Sequence, residues 1–123
     1  AGTANGDVKI RAGTGNNALT INNAIVTTAG TTDVASGSVV LEAGGAITRI
    51  AAGTITTNSF GNAAAGDVFI HQVVGNTNAI TLTGAINAKG GATGTAGANS
   101  NGGVVTVWNE QGTISLDGLI DVS

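Results

Sequence analysis

Gly66-Asp67-Val68-Phe69-Ile70 is one of four versions of a single phrase, Gly-x-Val-x-aliphatic, and its recurrence decides the fold. The others are Gly6-Asp7-Val8-Lys9-Ile10, Gly37-Ser38-Val39-Val40-Leu41 and Gly103-Val104-Val105-Thr106-Val107. They open at intervals of 31, 29 and 37 residues. A unit of that length predicts stacked repeats, each burying its apolar face only against its neighbours.

Each unit continues past its opening in the same way. A second apolar pair follows, Leu19/Ile21, Ile47/Ile50, Ile80/Leu82 and Ile114/Leu116, and then a third element marked by Ile25, Ile55, Ile86 and Ile120. In most of these segments apolar residues alternate with Thr, Asn, Ser or charged residues, the period-two pattern of a strand with one buried face. Gly, Thr, Asn and Val dominate and no stretch sustains a 3.6-residue period, so helix is disfavoured. The second unit has one extra residue between Ile47 and Ile50, which reads as a bulge or tight corner that keeps Ile50 inside.

Three short strands per coil, joined by glycine-containing corners, predict an all-β parallel β-helix of about four coils, starting near Gly6, Gly37, Gly66 and Gly103. Residues 1–123 form one domain in this reading. Stacking coils sets like over like about 4.8 Å apart. Five interior columns follow: Val8/Val39/Val68/Val105, Ile10/Leu41/Ile70/Val107, Leu19/Ile47/Ile80/Ile114, Ile21/Ile50/Leu82/Leu116 and Ile25/Ile55/Ile86/Ile120. Each buried aliphatic side chain contributes roughly 1.5–3 kcal/mol. The variable stretches, 27–36, 57–65 and 88–102, all follow the third strand and read as loops on one edge.

The chain ends match each other. Residues 1–6 read like the tail of a variable loop, and Leu119-Ile120-Asp121-Val122-Ser123 ends just past a third strand. Neither end reads as a capping element, so the coil is expected to continue across the ends, within a longer solenoid or by head-to-tail stacking of chains.

Composition narrows the function classes. Four Lys and Arg stand against seven Asp and Glu, leaving no basic footprint for nucleic acid and no polybasic membrane patch. With no cysteine there are no disulfides or thiolate metal sites, and no apolar run approaches the roughly 20 residues of a membrane helix. A single histidine and scattered carboxylates make a catalytic dyad or triad, a carboxylate pair or a calcium site unexpected. The expectation is therefore a non-enzyme with no cofactor and no metal.

The quoted phrases, together with Ala79-Ile-Thr-Leu-Thr-Gly-Ala-Ile and Ile114-Ser-Leu-Asp-Gly-Leu-Ile-Asp, resemble the repeats of filamentous-haemagglutinin-like exoproteins, large bacterial adhesins exported by two-partner secretion. The resemblance covers nearly the whole chain and lies in repeat style. It implies a right-handed β-helix displayed outside a Gram-negative cell, serving adhesion, aggregation or biofilm cohesion. The secretion-signal domain of such proteins is not recognisable here, which fits an internal segment or processed subunit.

One outer strip gathers the distinctive side chains. The position beyond the second interior column holds Arg11, Glu42, His71 and Trp108 in successive coils, with Lys9, Val40, Phe69 and Thr106 beside it. Arg11 and Glu42 are placed for a surface ion pair, and Trp108 for a cation–π contact with Arg11 of a following unit. Arg11, Glu42, Phe69, His71 and Trp108 are thus the candidate contact residues. Asp7 and Asp67 share a column but are separated by Ser38, and Glu110, Asp117 and Asp121 read as scattered solvating charges. Ice binding is disfavoured, because Thr20/Thr48/Thr81/Ser115 form one column while the companion Asn22/Ala51/Thr83/Asp117 is irregular.

The function expected from all of this is a structural or adhesive solenoid segment of an extracellular filament or bacterial surface adhesin. Its partners are copies of itself or neighbouring repeats. A carbohydrate-binding module, with host or matrix glycans as ligands, is the alternative.

Overall fold

A computed structural model of the chain describes residues 6–29, 33–73, 75, 77–91 and 100–123. Of the variable stretches, residues 30–32 and 92–99 lie outside the described residues, as do residues 1–5 at the start of the first coil. The described residues contain twelve strands and no helix. The first sheet joins β1 (Val8–Ala12), β4 (Val39–Ala43), β7 (Val68–Gln72) and β10 (Val105–Asn109). The second joins β2 (Leu19–Ile21), β5 (Ile47–Arg49), β8 (Ile80–Leu82) and β11 (Ile114–Leu116), and the third β3 (Ile25–Val26), β6 (Ile55–Thr56), β9 (Ile86–Asn87) and β12 (Ile120–Asp121). Every pairing is parallel and links a strand to its counterpart in the next repeat. The chain is a parallel β-solenoid: three sheets wrap one core, four strands deep along the axis.

Alternation sets which side chains enter that core. β4 and β7 show every second residue buried, Val39, Leu41 and Ala43 in one and Val68, Ile70 and Gln72 in the other. Ile47, Ile55, Ile80, Leu82 and Ile86 close the other two sides at no more than 1% exposure. Four of the five expected columns run in register, and the two middle rungs carry the most deeply buried residues. The last rung differs. There Ile114, Leu116 and Ile120 stand 41%, 46% and 38% exposed, whereas Leu19 and Ile21 of the first rung are buried.

The column expected as Ile21/Ile50/Leu82/Leu116 requires a correction. Ile21 pairs with Arg49, and Arg49 with Leu82, so an arginine occupies the interior position assigned to Ile50. Arg49 is 1% exposed, while Ile50 is 42% exposed at the corner beyond β5. The strand itself carries no bulge, and the corner after it is two residues longer than in the other repeats, five residues against three. Ala51 and Ala52 form a turn within that longer corner.

The variable stretches also begin inside the fold, not as edge loops throughout. Thr27 and Thr57 are buried, and their N–H groups continue the third sheet's ladder by donating to the carbonyls of Thr56 and Asn87. Each then clasps the glycine that opens the next phrase. The Thr27 hydroxyl donates to the Gly37 carbonyl at 2.5 Å and receives the Gly37 N–H on its own carbonyl. Thr57 does the same with Gly66 at 2.7 Å. In the following rung Gly103 N–H donates to Ala88 O, so the clasp keeps its backbone half. Insertions between these anchors leave the strands undisturbed, which is how repeats of unequal length share one register.

The opening glycines answer to axial crowding. None of Gly37, Gly66 and Gly103 has a positive φ. A Cβ on Gly66 would lie 2.0 Å from the Gly37 carbonyl oxygen, and one on Gly103 2.2 Å from that of Gly66. The chain at this corner stacks backbone on backbone, with no room for a methyl group.

Candidate functional site

The outer face of the first sheet assembles the predicted strip. Strand register places Arg11, Glu42, His71 and Trp108 in one column and Lys9, Val40, Phe69 and Thr106 in the neighbouring one. These positions point outward because their neighbours in the strand carry the core. Glu42 Oε2 forms ion pairs with two cations of the rung before it, Lys9 Nζ at 3.4 Å and Arg11 Nε at 3.8 Å. Lys9 and Arg11 remain at least half exposed, so each pair contributes about 0–1 kcal/mol.

Toward the other end of the column the contacts become aromatic. His71 stacks on Trp108 with ring centroids 4.4 Å apart and planes 12° from parallel, and Phe69 tilts against His71 at 5.5 Å. His71 Nε2 is buried without a hydrogen-bond partner, so ring packing holds the imidazole on this side. Trp108 covers His71 yet remains 49% exposed. All five predicted contact residues therefore share one face, divided between an ion cluster at the first two rungs and a ring stack at the last two.

A second polar device runs along the corner just after the opening glycines. Ser38 N–H donates to Asp7 Oδ1 at 2.7 Å, Asp67 N–H to Ser38 Oγ at 3.1 Å, and Val104 N–H to Asp67 Oδ1 at 2.8 Å. Each side-chain oxygen accepts the N–H of the rung that follows, where the strand ladder has not yet begun. Asp7, Ser38 and Asp67 thus form a continuous ladder. Their shared column was visible in the sequence, but sequence reasoning sought a carboxylate pair there and overlooked the backbone donors.

Arg49 is the other residue that sequence reasoning missed. Its Nη1 donates to the carbonyls of Gly53 at 3.2 Å and Ala85 at 2.9 Å, and its Nη2 to that of Gly84. The guanidinium bridges the second corner of its own rung to that of the next. No carboxylate pairs with it among the described residues, and Nε is buried without a partner. Burial pushes the group down to about 10, still charged at neutral pH, so the fold carries a cation solvated by backbone dipoles alone. Gly53 makes this possible, since a Cβ there would lie 2.9 Å from Arg49 Cγ and 2.4 Å from the Ile21 carbonyl oxygen.

The charges near the chain's end do more than solvate. Asp121 Oδ2 pairs with Lys89 Nζ of the preceding rung at 2.6 Å. The Lys89 hydrogen bond, with help from Ser123, holds the Asp121 carboxyl below the usual carboxylate range. Asp117 accepts from Ser115 Oγ at 3.1 Å. Among the described residues no three His, Asp or Glu come together as a metal site. No family model matches this chain, and no curated protein or solved structure matches it either.

Proposed function

We propose that this chain is a rod-forming segment of a bacterial surface adhesin or extracellular filament, in which further coils stack on its end rungs. The unbroken axial register carries the reading. All three sheets pair each strand with its counterpart one repeat away, and Ile47, Ile55, Ile80, Leu82 and Ile86 are buried between neighbouring rungs. Such a core lengthens by adding rungs in the same register, through further parallel pairing. Its role is mechanical: stacked coils transmit length, while the variable stretches change its surface without disturbing the core. The repeat style shared with haemagglutinin-like exoproteins supports placing such a rod outside the cell. Electron microscopy of the purified 123-residue chain at rising concentration is expected to show rods several chains long. Discrete particles of one chain's length at every concentration would sink the stacking reading.

A carbohydrate-binding module is the second reading, favoured by the half-exposed Trp108 indole. Binding to a glycan array that disappears in Trp108→Ala, with no rods in the micrographs, would select it.

A further inference from the structure

We infer that the outer face of the first sheet is an acid-responsive switch, in which protonation of His71 parts its ring from Trp108 and draws it toward Glu42. Every group involved lies within this one face, so the switch is independent of both the stacking and the glycan readings.

Neutral His71 suits its surroundings. Its ring lies on Trp108 with centroids 4.4 Å apart and planes 12° from parallel, and Phe69 closes against it at 5.5 Å. Nε2 is buried there without a hydrogen-bond partner. In the imidazolium both ring nitrogens are donors, whichever tautomer the neutral ring adopts. Acid therefore leaves an N–H of a charged ring buried with nothing to receive it. The neighbouring side chains cannot help, since phenylalanine has no acceptor atom and the indole nitrogen only donates. Nor does the indole face receive the bond, because the N–H lies in the plane of a ring almost parallel to it. A cation–π contact with Trp108 offsets part of the cost, but an unpaired buried charged donor costs more than such a contact returns.

Glu42 supplies the destination. It is the register partner of His71 in the preceding rung, at the same outward position. Its carboxylate already draws Lys9 and Arg11 from β1, and no other carboxylate belongs to this column. From β10 His71 meets Trp108, which does not titrate, and on β7 its neighbour on the same face is Phe69. Glu110, just past β10, lies by the corner after β7, where a Cβ on Gly75 would stand 3.4 Å from its Oε2. An imidazolium turned to Glu42 exchanges an unmet N–H for a charge-assisted hydrogen bond. The strip changes character with it. Two cations against one carboxylate become three, and the indole loses the ring that covered one of its faces. Histidine is the side chain whose charge changes between about pH 5 and 8, so mild acidity operates the switch.

Trp108 is the only tryptophan of the chain, so its fluorescence reports this contact alone. Acrylamide, an uncharged quencher, is expected to quench the full chain roughly twofold more steeply at about pH 5 than at about pH 8, in a single one-proton step. Far-UV circular dichroism should not change across that step, since the ring moves outside the core. His71→Phe, which keeps a ring on the indole and cannot titrate, should abolish the step. Glu42→Gln, a variant that leaves the ring stack intact, should move it to lower pH, because the imidazolium loses its carboxylate. In the wild-type chain, nuclear Overhauser contacts between the His71 and Trp108 rings should be present at about pH 8 and absent at about pH 5. Quenching that stays level between these limits, a step that survives in His71→Phe or is unmoved in Glu42→Gln, or ring contacts that persist in acid would each overturn the switch.

Discussion

Arg49→Ala is expected to lower the unfolding free energy by about 3–5 kcal/mol, and Arg49→Leu to stay within about 1.5 kcal/mol of wild type. The alanine variant leaves a void between Ile21 and Leu82, the partners of Arg49 in its column. It also strips the Gly53 and Gly84 carbonyls of the donors that Arg49 supplies, while Ala85 O keeps the N–H of Ile55. Leucine loses the same hydrogen bonds but fills the column with the residue that the next rung already uses. It also removes a cation whose charged form burial opposes. Urea denaturation of the three proteins separates packing from hydrogen bonding. If leucine proves as damaging as alanine, the guanidinium's bonds to the corner carbonyls hold this part of the fold, and its packing is secondary.

That contrast also marks where the sequence stopped being readable. The alternating letters of β4 and β7 disclosed the solenoid because the interior repeats every second residue and each repeat reuses the same types. Register followed from the opening glycines alone, and it placed Arg11, Glu42, His71 and Trp108 in one column before any coordinates. Arg49 was invisible to the same logic. An isoleucine stands next to it, and residue type argues against burying an arginine when an aliphatic neighbour is available. What reverses that preference is a set of carbonyls at two glycine corners, and these come together only when the rungs stack. The Asp7, Ser38 and Asp67 ladder escaped notice for a related reason. Its donors are backbone groups, which sequence does not display. The stacking of the Trp108 ring on His71 is likewise a property of the packed rungs and not of the residue.

Gly66→Ala is expected to destabilise the chain by about 3 kcal/mol or more, whereas Gly6→Ala should change stability by no more than about 0.5 kcal/mol. The two glycines hold the same place in the same phrase, so conformational preference cannot separate them. Their surroundings do. A methyl group on Gly66 would meet the Gly37 carbonyl oxygen at 2.0 Å and its carbon at 2.5 Å, both backbone atoms of a buried rung. Relief would require the second and third rungs to separate, and this would stretch the Thr57 clasp on Gly66 and the neighbouring Asp67–Ser38 bond. Around Gly6 nothing lies within 4 Å of the added carbon. Denaturation midpoints measured side by side decide the matter, and comparable losses in the two variants would reject axial crowding as the reason for the repeated glycine. Under the stacking reading the contrast also depends on assembly. Once Gly6 sits on the last rung of another copy it occupies the crowded position that Gly66 holds within the chain. Gly6→Ala should then leave the single chain's stability untouched while weakening its association into rods.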